Sequence, residues 1–489
     1  VHPYPLAGVA GLLGVAAPAT DVRLTGVTHA SGSVLPGDLY AALPGARRHG
    51  AEFIPAAAAA GAVAVLTDPV GEPAAVGAGL PVLVVGDPRR ALGRVASAVY
   101  GNPTDRLTVL GITGTAGKTT TAYLVDSGLR AAGLRSGLIG TVETRLGDEP
   151  VRSERTTPEA PDLQALFGFA LEAGVSVVTM EVSSHALALN RVEGTRFAVG
   201  AFTNLGVDHL DFHADVGEYF SAKARLFDGR CDHEVVNLDD PAGRKLVKPG
   251  SVTVSAVGDR AATWRAERIE PAGFGQEFEA VGPDRRRFAG SVAIPGVHNV
   301  SNALLALASL VAIGVDPGVA LDGIGKCRGV PGRMELVSAA GPVRGVVDYA
   351  HKPDAVKAVL AALRAVTDGR LICVIGAGGD RDRGKRPLMG AAAAHGSDLL
   401  LVTDDNPRGE DPAVVRAEVL AGAEGPAAVV EVPGRRAAID EAVRRARPGD
   451  TIAVLGKGHE QGQEVAGEVF PFDDRVELAA SLTERFGAR

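Results

Sequence analysis

The segment LTVLGITGTAGKTTTAYLVDSGLRAAG, residues 107–133, does most to limit what this chain can fold into. An apolar run leads through Gly111, Gly114 and Gly117 into Lys118, a run of threonines and a helix-like stretch. Glycine allows the tight turns by which successive backbone N–H groups converge on one anion. A helix starting behind such a loop aims its unpaired N–H groups at the same point. The pattern predicts a buried strand, a phosphate-binding loop and a helix beginning near Lys118. The usual phosphate-loop spacing would place a glycine at Ile112, so the geometry here rests on Gly117, Lys118 and Thr119. Gly114, Thr115, Gly117 and Thr120 complete the cradle; Lys118 can reach the β- and γ-phosphates and Thr119 can ligand Mg2+.

The strand-to-helix alternation recurs along the chain. VSVVTMEVSSHAL (175–187) is an apolar strand ending at Glu181; FAVGAFTNLGVDHLDFH (197–213) is another ending near Asn204, and HEVVNLDD (233–240) a further one. Earlier, AVAVLTD (62–68) and LPVLVVGD (80–87) read as buried strands, and RRALGRVASAVYGNP (89–103) as a helix stopped by Gly-Asn-Pro. Residues 250–295 alternate in a strand-like way without clear helices, as in an antiparallel patch. HNVSNALLALASLVAIGV (298–315) is a helix with Asn299 and Asn302 in its opening turn, and the turn-rich GVPGRMELV (329–337) reads as a hinge. The alternation then restarts at RGVVDYA, LICVIGAGGDRD, LLLVTDDNPR and TIAVLGKGHE, each a strand whose last residues turn polar. Polar residues at strand C-termini are what a doubly wound sheet presents to a ligand. At about 150 residues per domain, a chain of 489 residues is expected to hold three α/β domains: 1–103, 104–330 and 331–489.

Hydrophobic residues make up 46% of the chain, enough for sizeable cores and too many for disorder. The net charge of −8 argues against a general nucleic-acid binder. The three cysteines, Cys231, Cys327 and Cys373, lie far apart, with neither metal-ligand spacing nor an even count. That usage suits the reducing cytoplasm. The N-terminal apolar run has no basic stretch before it and is not expected to be a signal peptide. No apolar run is long enough to insert in a bilayer.

Several side chains stand at strand ends where chemistry is carried out. A carboxylate at Glu181 can hold Mg2+ opposite the loop threonine, or simply cap a helix. His209 and His213 in DHLDFH can bind metal or move protons, or be ordinary loop histidines. Lys223 in YFSAKARLF lies on an amphipathic helix whose Tyr219, Phe220, Leu226 and Phe227 are expected to pack; alone it reads as a solvated lysine.

In order, the chain carries GTAGKTT, TTPEA, EVSSHAL, FTNLGVDHLDFH, YFSAKARLF, HNVSNALLA, GVPGRMELV, DYAHKPDA, GGDRDRGKRP, DNPR and GKGHE. This series resembles the Mur ligase family over nearly the whole chain. The resemblance implies an N-terminal uridine-nucleotide domain, a central ATPase-type domain and a C-terminal Rossmann-like domain. It implies an ATP-dependent amide ligase of peptidoglycan synthesis, adding diaminopimelate to UDP-N-acetylmuramoyl-L-alanyl-D-glutamate through an acyl phosphate. Lys118, Glu181, His209 and Lys223 are the implied catalytic residues. Two Mg2+ sites are implied, held by Thr119 and Glu181 and by His209 and a carbamylated Lys223. Asn299, Asn302, Arg333 and Asp348 are implied to contact the nucleotide, and Ser31, Thr156, Thr157, Ser183 and Arg191 the muramoyl-dipeptide. A cytoplasmic monomer is expected, closing about the 329–337 hinge.

The DNPR of residues 405–408 resembles the variant that goes with diaminopimelate rather than lysine. Arg381 and Arg408 can pair with the extra carboxylate of diaminopimelate, because a guanidinium fork matches a carboxylate. Asp405 and Asn406 belong to the same loop, and Gly456 and Glu460 are implied to hold the distal amine. Three places depart from the family pattern: Ala116 in the loop, Ala30 and Gly32 beside Ser31 where Asp and Arg are expected, and Lys352 where Thr is common. The rival expectations are a folylpolyglutamate-type ligase with another amine, and a non-catalytic nucleotide-binding relative.

Overall fold

Asp-Pro pairs start helices four times among the described residues, at Asp87-Pro88, Asp240-Pro241, Asp316-Pro317 and Asp411-Pro412. In each, the Asp side chain accepts a hydrogen bond from a backbone N–H of the first turn, and proline supplies a φ suited to helix entry. The first of these helices, Pro88–Val99, stops where Asn102 turns left-handed ahead of Pro103, as Gly-Asn-Pro requires. These features are seen in the computed structural model, which describes residues 2–153, 155–338 and 341–487.

The chain forms two compact units: Val1–Arg265 with Leu304–Gly323, and Ala266–Ala303 with Ile324–Arg489. Besides the short antiparallel pair Tyr4–Pro5 and Arg23–Leu24, the first unit holds two larger sheets. Strands Gly26–Thr28, Asp38–Ala42, Ala64–Thr67 and Val82–Val84 pair in chain order, all parallel. Leu24, Leu39, Leu66, Val95 and Val99 form part of their core. In the second sheet, Thr108–Thr113 lies between Val177–Glu181 and Phe197–Phe202, parallel to both. Ser136–Ile139 extends it on one side, and Cys231–Asn237 and Val252–Ser255 on the other, again parallel. The chain leaves Thr108–Thr113 toward one edge and later returns to pair on its other face. Loops therefore diverge at its carboxyl end, the place where such sheets bind ligands.

In the second unit, Gly275–Val281 and Arg287–Val292 form the antiparallel hairpin expected within 250–295. A further sheet runs Glu335–Ser338, Arg344–Asp348, Thr451–Leu455, Leu371–Ile375, Leu399–Val402, Ala428–Glu431, parallel except at its first strand. The turn-rich segment read as a hinge thus ends inside a strand. The fold is α/β with largely parallel sheets, as the alternation of apolar strands and helices demands. No helix among the described residues is long and apolar enough to cross a membrane.

One buried ion pair ties the end of this last sheet together. Arg435 and Asp474 are both fully buried; Nε and Nη2 of Arg435 each donate to a different Asp474 oxygen at 2.7 Å. Nη2 also donates to the Leu455 carbonyl at 2.9 Å and Nη1 to the Asp404 carbonyl at 3.2 Å. Burial works against the Arg435 charge, and Asp474 more than offsets it, so the guanidinium is held firmly charged. Asp474→Ala would remove the carboxylate that pairs closely with that charge and leave Asp405, at 3.8 Å, to balance it. We expect it to lower the stability of this unit by about 3–5 kcal/mol, read by urea unfolding; an unchanged midpoint would contradict the role given to this pair.

Candidate active site

The phosphate loop sits at the carboxyl end of Thr108–Thr113, and the helix Lys118–Ala131 begins at Lys118 as expected. Gly117 caps that helix at φ 85° and Gly114 has φ 144°, both positive. A Cβ on Gly114 would come within 1.8 Å of Thr203 Oγ1, so no larger residue fits there. The neighbouring strand end clamps the loop. Thr115 N donates to the Asn204 carbonyl at 2.9 Å, and Ala116 N to Asn204 Oδ1 at 2.9 Å. Asn204 Nδ2 and Thr203 Oγ1 donate in return to the Ala116 carbonyl. Ala116 therefore serves through its backbone, and the absence of a polar side chain there leaves the clamp intact.

Lys118 Nζ donates to the carbonyls of Gly114 (2.8 Å) and Thr115 (3.0 Å). Lys223, only 1% exposed, also donates to the Gly114 carbonyl at 2.8 Å. The lysine that composition would read as solvated is thus buried against the phosphate loop. Glu181 is buried too, and accepts from Thr119 Oγ1 (3.0 Å), Thr141 N (2.8 Å) and Thr141 Oγ1 (3.2 Å). It caps no helix of its own. The 3.0 Å between Thr119 Oγ1 and Glu181 Oε2 is about the spacing of adjacent oxygens on an octahedral Mg2+ with ligands at about 2.1 Å. This all-oxygen pair fits that ion, which usually keeps few protein ligands. Thr120 is buried behind Thr119.

Tyr219 gathers the remaining groups. Its hydroxyl meets Thr115 Oγ1 at 3.1 Å, its ring lies 4.3 Å below Lys223 Nζ, and His209 lies 6.0 Å from it, ring centre to ring centre. Burial pushes the phenol upward, so it stays protonated. His209 has φ 54° and pairs with Asp208 at 3.1 Å. Its ring meets His185 edge-on at 4.7 Å. His213 is buried, 5.3 Å from the Tyr219 ring centre, and neither of its ring nitrogens has a hydrogen-bond partner among the described residues. Tyr219 looked like simple packing in the sequence, and Thr141 carried no signal there at all.

The residues expected for the muramoyl-dipeptide fall into two places. Thr157 Oγ1 donates to the Glu181 carbonyl at 2.9 Å and accepts from Ser183 N at 3.1 Å, while Thr156 Oγ1 meets Thr141 Oγ1 at 3.0 Å. Arg191 lies 2.8 Å from buried Glu159 and donates weakly to the Thr157 carbonyl. Burial lowers its affinity for the proton and Glu159 counters that effect. These four therefore border the Glu181 side of the loop. Ser31 begins a one-turn 3-10 helix after the strand Gly26–Thr28, in the other sheet; Thr28 Oγ1 holds that turn by accepting from Ala30 N at 3.1 Å.

In the second unit, Asn299 and Asn302 are buried at the start of the helix Val297–Ala312, joined by a 3.0 Å bond from Asn302 Nδ2 to Asn299 Oδ1. Arg333 stacks on Tyr349 at 4.6 Å. Asp348 is buried and accepts from Met334 N and Ala350 N, both at 2.7 Å, so its carboxylate holds the 330–334 segment. Burial raises its pKa.

The residues expected for the amine meet at the carboxyl ends of Leu371–Ile375, Leu399–Val402 and Thr451–Leu455. Asn406 Nδ2 donates to Glu460 Oε2 at 2.9 Å, and fully buried Lys457 donates to Asn406 Oδ1 (3.0 Å) and Glu460 Oε2 (3.1 Å). Asp405 lies 3.8 Å from Arg435 and beside Gly456. Arg408, at φ 51°, donates to the Gly379 carbonyl at 2.8 Å; Arg381 is exposed on the same loop. Lys457 was not singled out in the sequence, where GKGHE shows only polar residues following the strand TIAVL.

A glycine loop on an inner strand of a parallel sheet, with lysine, threonine and carboxylate converging on it, defines a nucleotide-phosphate-binding α/β protein. The chain belongs to the Mur ligase family. Three of its domain models match in order: the family's catalytic domain over residues 23–100, its middle domain over 112–310 and its glutamate ligase domain over 332–458. A UDP-N-acetylmuramoyl-L-alanyl-D-glutamate–2,6-diaminopimelate ligase of Streptomyces avermitilis is 53% identical, covering 100% of this chain and 98% of the relative. The ligase of the same name in Streptomyces coelicolor is 52% identical over 99% of this chain and 97% of its own. A solved structure bearing that name is 30% identical over 99% of each chain, with a TM-score of 0.73. MurF from Acinetobacter baumannii, 18% identical with a TM-score of 0.67, shares the fold.

Proposed function

We propose that this protein is an ATP-dependent amide ligase that joins 2,6-diaminopimelate to UDP-N-acetylmuramoyl-L-alanyl-D-glutamate in peptidoglycan precursor synthesis. The observation that carries the chemistry is the convergence of Lys118 and the Thr119–Glu181 pair on the phosphate loop. The names of the full-length relatives support the substrates.

A free carboxylate is a poor acyl donor. Transfer of the γ-phosphoryl group to the substrate carboxylate makes an acyl phosphate, whose phosphate is a good leaving group. The amine attacks the acyl carbon, the tetrahedral adduct collapses, and amide, ADP and phosphate result. Positioning and neutralisation of charge supply most of the rate. Lys118 turns from its loop carbonyls to the β- and γ-phosphates. Thr119 and Glu181 would hold one Mg2+, and His209 and a carbamylated Lys223 a second, and such ions would offset the crowded charge of nucleotide and carboxylate. Tyr219 keeps Lys223 and Thr115 in register. Thr156, Thr157, Ser183, Arg191 and Ser31 hold the muramoyl-dipeptide, while Asn299, Asn302, Arg333 and Asp348 serve the nucleotide. Arg381 and Arg408 take the distal carboxylate, and Gly456 and Glu460, with Asp405 and Asn406, the distal amine. Residues 1–103, 104–330 and 331–489 divide these tasks, and the protein works as a cytoplasmic monomer.

The test is phosphate release with ATP, the muramoyl-dipeptide and a panel of amines. Diaminopimelate is expected to stimulate release strongly and lysine weakly. Stimulation by lysine or a pteroylglutamate, with none by diaminopimelate, would overturn the assignment.

A further inference from the structure

We propose that Glu464 is a specificity-determining residue, reading the ammonium at the distal end of the amine substrate. The inference rests on the ligase reading above and adds to it a residue that no motif contains. Glu464 lies on the strand Gly462–Val465, which forms a hairpin with Glu468–Pro471. Backbone bonds fasten this strand to the 405–408 loop: Arg408 N donates to the Glu464 carbonyl at 3.0 Å, and Ala466 N to the Arg408 carbonyl at 2.7 Å. Glu464 N donates to Asn406 Oδ1 at 3.0 Å. Glu464 is thereby fixed beside Arg408, and Arg408 Nε donates to Glu464 Oε2 at 3.1 Å.

The charges of the two nearby acids are balanced differently. Glu460 is paired with Lys457, which is fully buried and cannot leave. Glu464 is paired with Arg408, and the two side chains are 40% and 22% exposed, within reach of a solute. Arg408 Nε faces Glu464 and Nη1 faces the Gly379 carbonyl, so Nη2 remains for a substrate carboxylate. Once that carboxylate arrives, two anions share one guanidinium and Glu464 is under-compensated. Diaminopimelate brings the remedy on the same carbon atom: an ammonium group adjoining the carboxylate. A monoamino dicarboxylate such as 2-aminopimelate lacks that cation. Lysine brings the cation alone and meets Arg408. The Arg408–Glu464 pair therefore selects a zwitterionic end, with both charges required together.

The test compares wild type and Glu464→Gln in the full chain, measuring kcat and KM for diaminopimelate and 2-aminopimelate by phosphate release. Glu464→Gln is expected to lower kcat/KM for diaminopimelate by roughly 10- to 100-fold, mostly through KM. It should leave 2-aminopimelate unchanged or improved, with the KM values for ATP and muramoyl-dipeptide unaltered. Glu464→Asp, which keeps the charge, should recover part of the loss. Equal losses for both amines would mean that Glu464 only props Arg408, and no loss would mean that it is idle; either result overturns this inference alone. If wild type shows no diaminopimelate-dependent release, the ligase reading falls and takes the inference with it.

Discussion

Lys118→Ala is expected to cut amine-dependent phosphate release by about 10^3-fold. In the structure the Lys118 ammonium bonds two loop carbonyls, so it already lies against the phosphate loop. Moving from carbonyl to phosphate requires rotation of a side chain and no movement of the backbone. Its partner at the loop gains negative charge as the γ-phosphoryl group is transferred, so the contact strengthens toward the transition state and the loss should fall on kcat. Lys118→Arg should not restore activity, because a planar fork cannot replace a compact ammonium in a loop of this size. The clamp by Thr203 and Asn204 does not involve the Lys118 side chain. The variant should therefore fold, with an unchanged circular dichroism spectrum. Turnover at the wild-type rate would remove Lys118 from the mechanism.

Lys223→Ala is expected to cost about 10^2- to 10^3-fold, with partial rescue by added formate or acetate. Two lysine ammonium groups, from Lys118 and Lys223, donate to the one Gly114 carbonyl. Metal ions beside a second buried cation would be repelled. Carbamylation would resolve the conflict: the Lys223 ammonium would lose one proton, its nitrogen would bond to the carbon of CO2 with loss of a second, and the side chain would become an anion able to bind Mg2+. Labelled CO2 should give a carbamate carbon resonance in wild type and none in Lys223→Ala. Full activity in bicarbonate with a bare Lys223 amine would refute the modification. The Tyr219 ring, 4.3 Å from the nitrogen, then loses a cation and gains a neighbour of opposite sign.

The sequence was readable where one periodicity governed many residues. Runs such as LICVI and TIAVL are buried throughout, and only an inner strand of a parallel sheet uses such runs. The strand-end positions of Glu181 and Asn204 followed from where apolar residues stop. Short hairpins escaped notice. Thr144–Leu146 with Glu149–Val151, and Gly462–Val465 with Glu468–Pro471, are brief and partly exposed, with polar or glycine turns that read as loop. Glu464 was hidden for that reason. Tyr219 and Lys457 were hidden for another: nothing in a sequence distinguishes a packed tyrosine from one that bonds a phosphate loop, or a surface lysine from one enclosed by Asn406 and Glu460. Asp348 and Asn406 were expected as site residues, and in the structure much of their hydrogen bonding goes to neighbouring loops, which makes them scaffolding groups as well.

The Arg435–Asp474 pair also bears on the order in which the protein is made. Every strand of the last six-stranded sheet precedes Asp474 in the chain. While the ribosome still holds the helix Asp474–Phe486, Arg435 has the looser 3.8 Å contact with Asp405 but not the two-oxygen pairing with Asp474, and closing the sheet over that charge is less favourable. The nascent sheet is thereby kept from settling until the helix Asp474–Phe486 emerges, so this unit acquires its native packing only after that helix has left the ribosome.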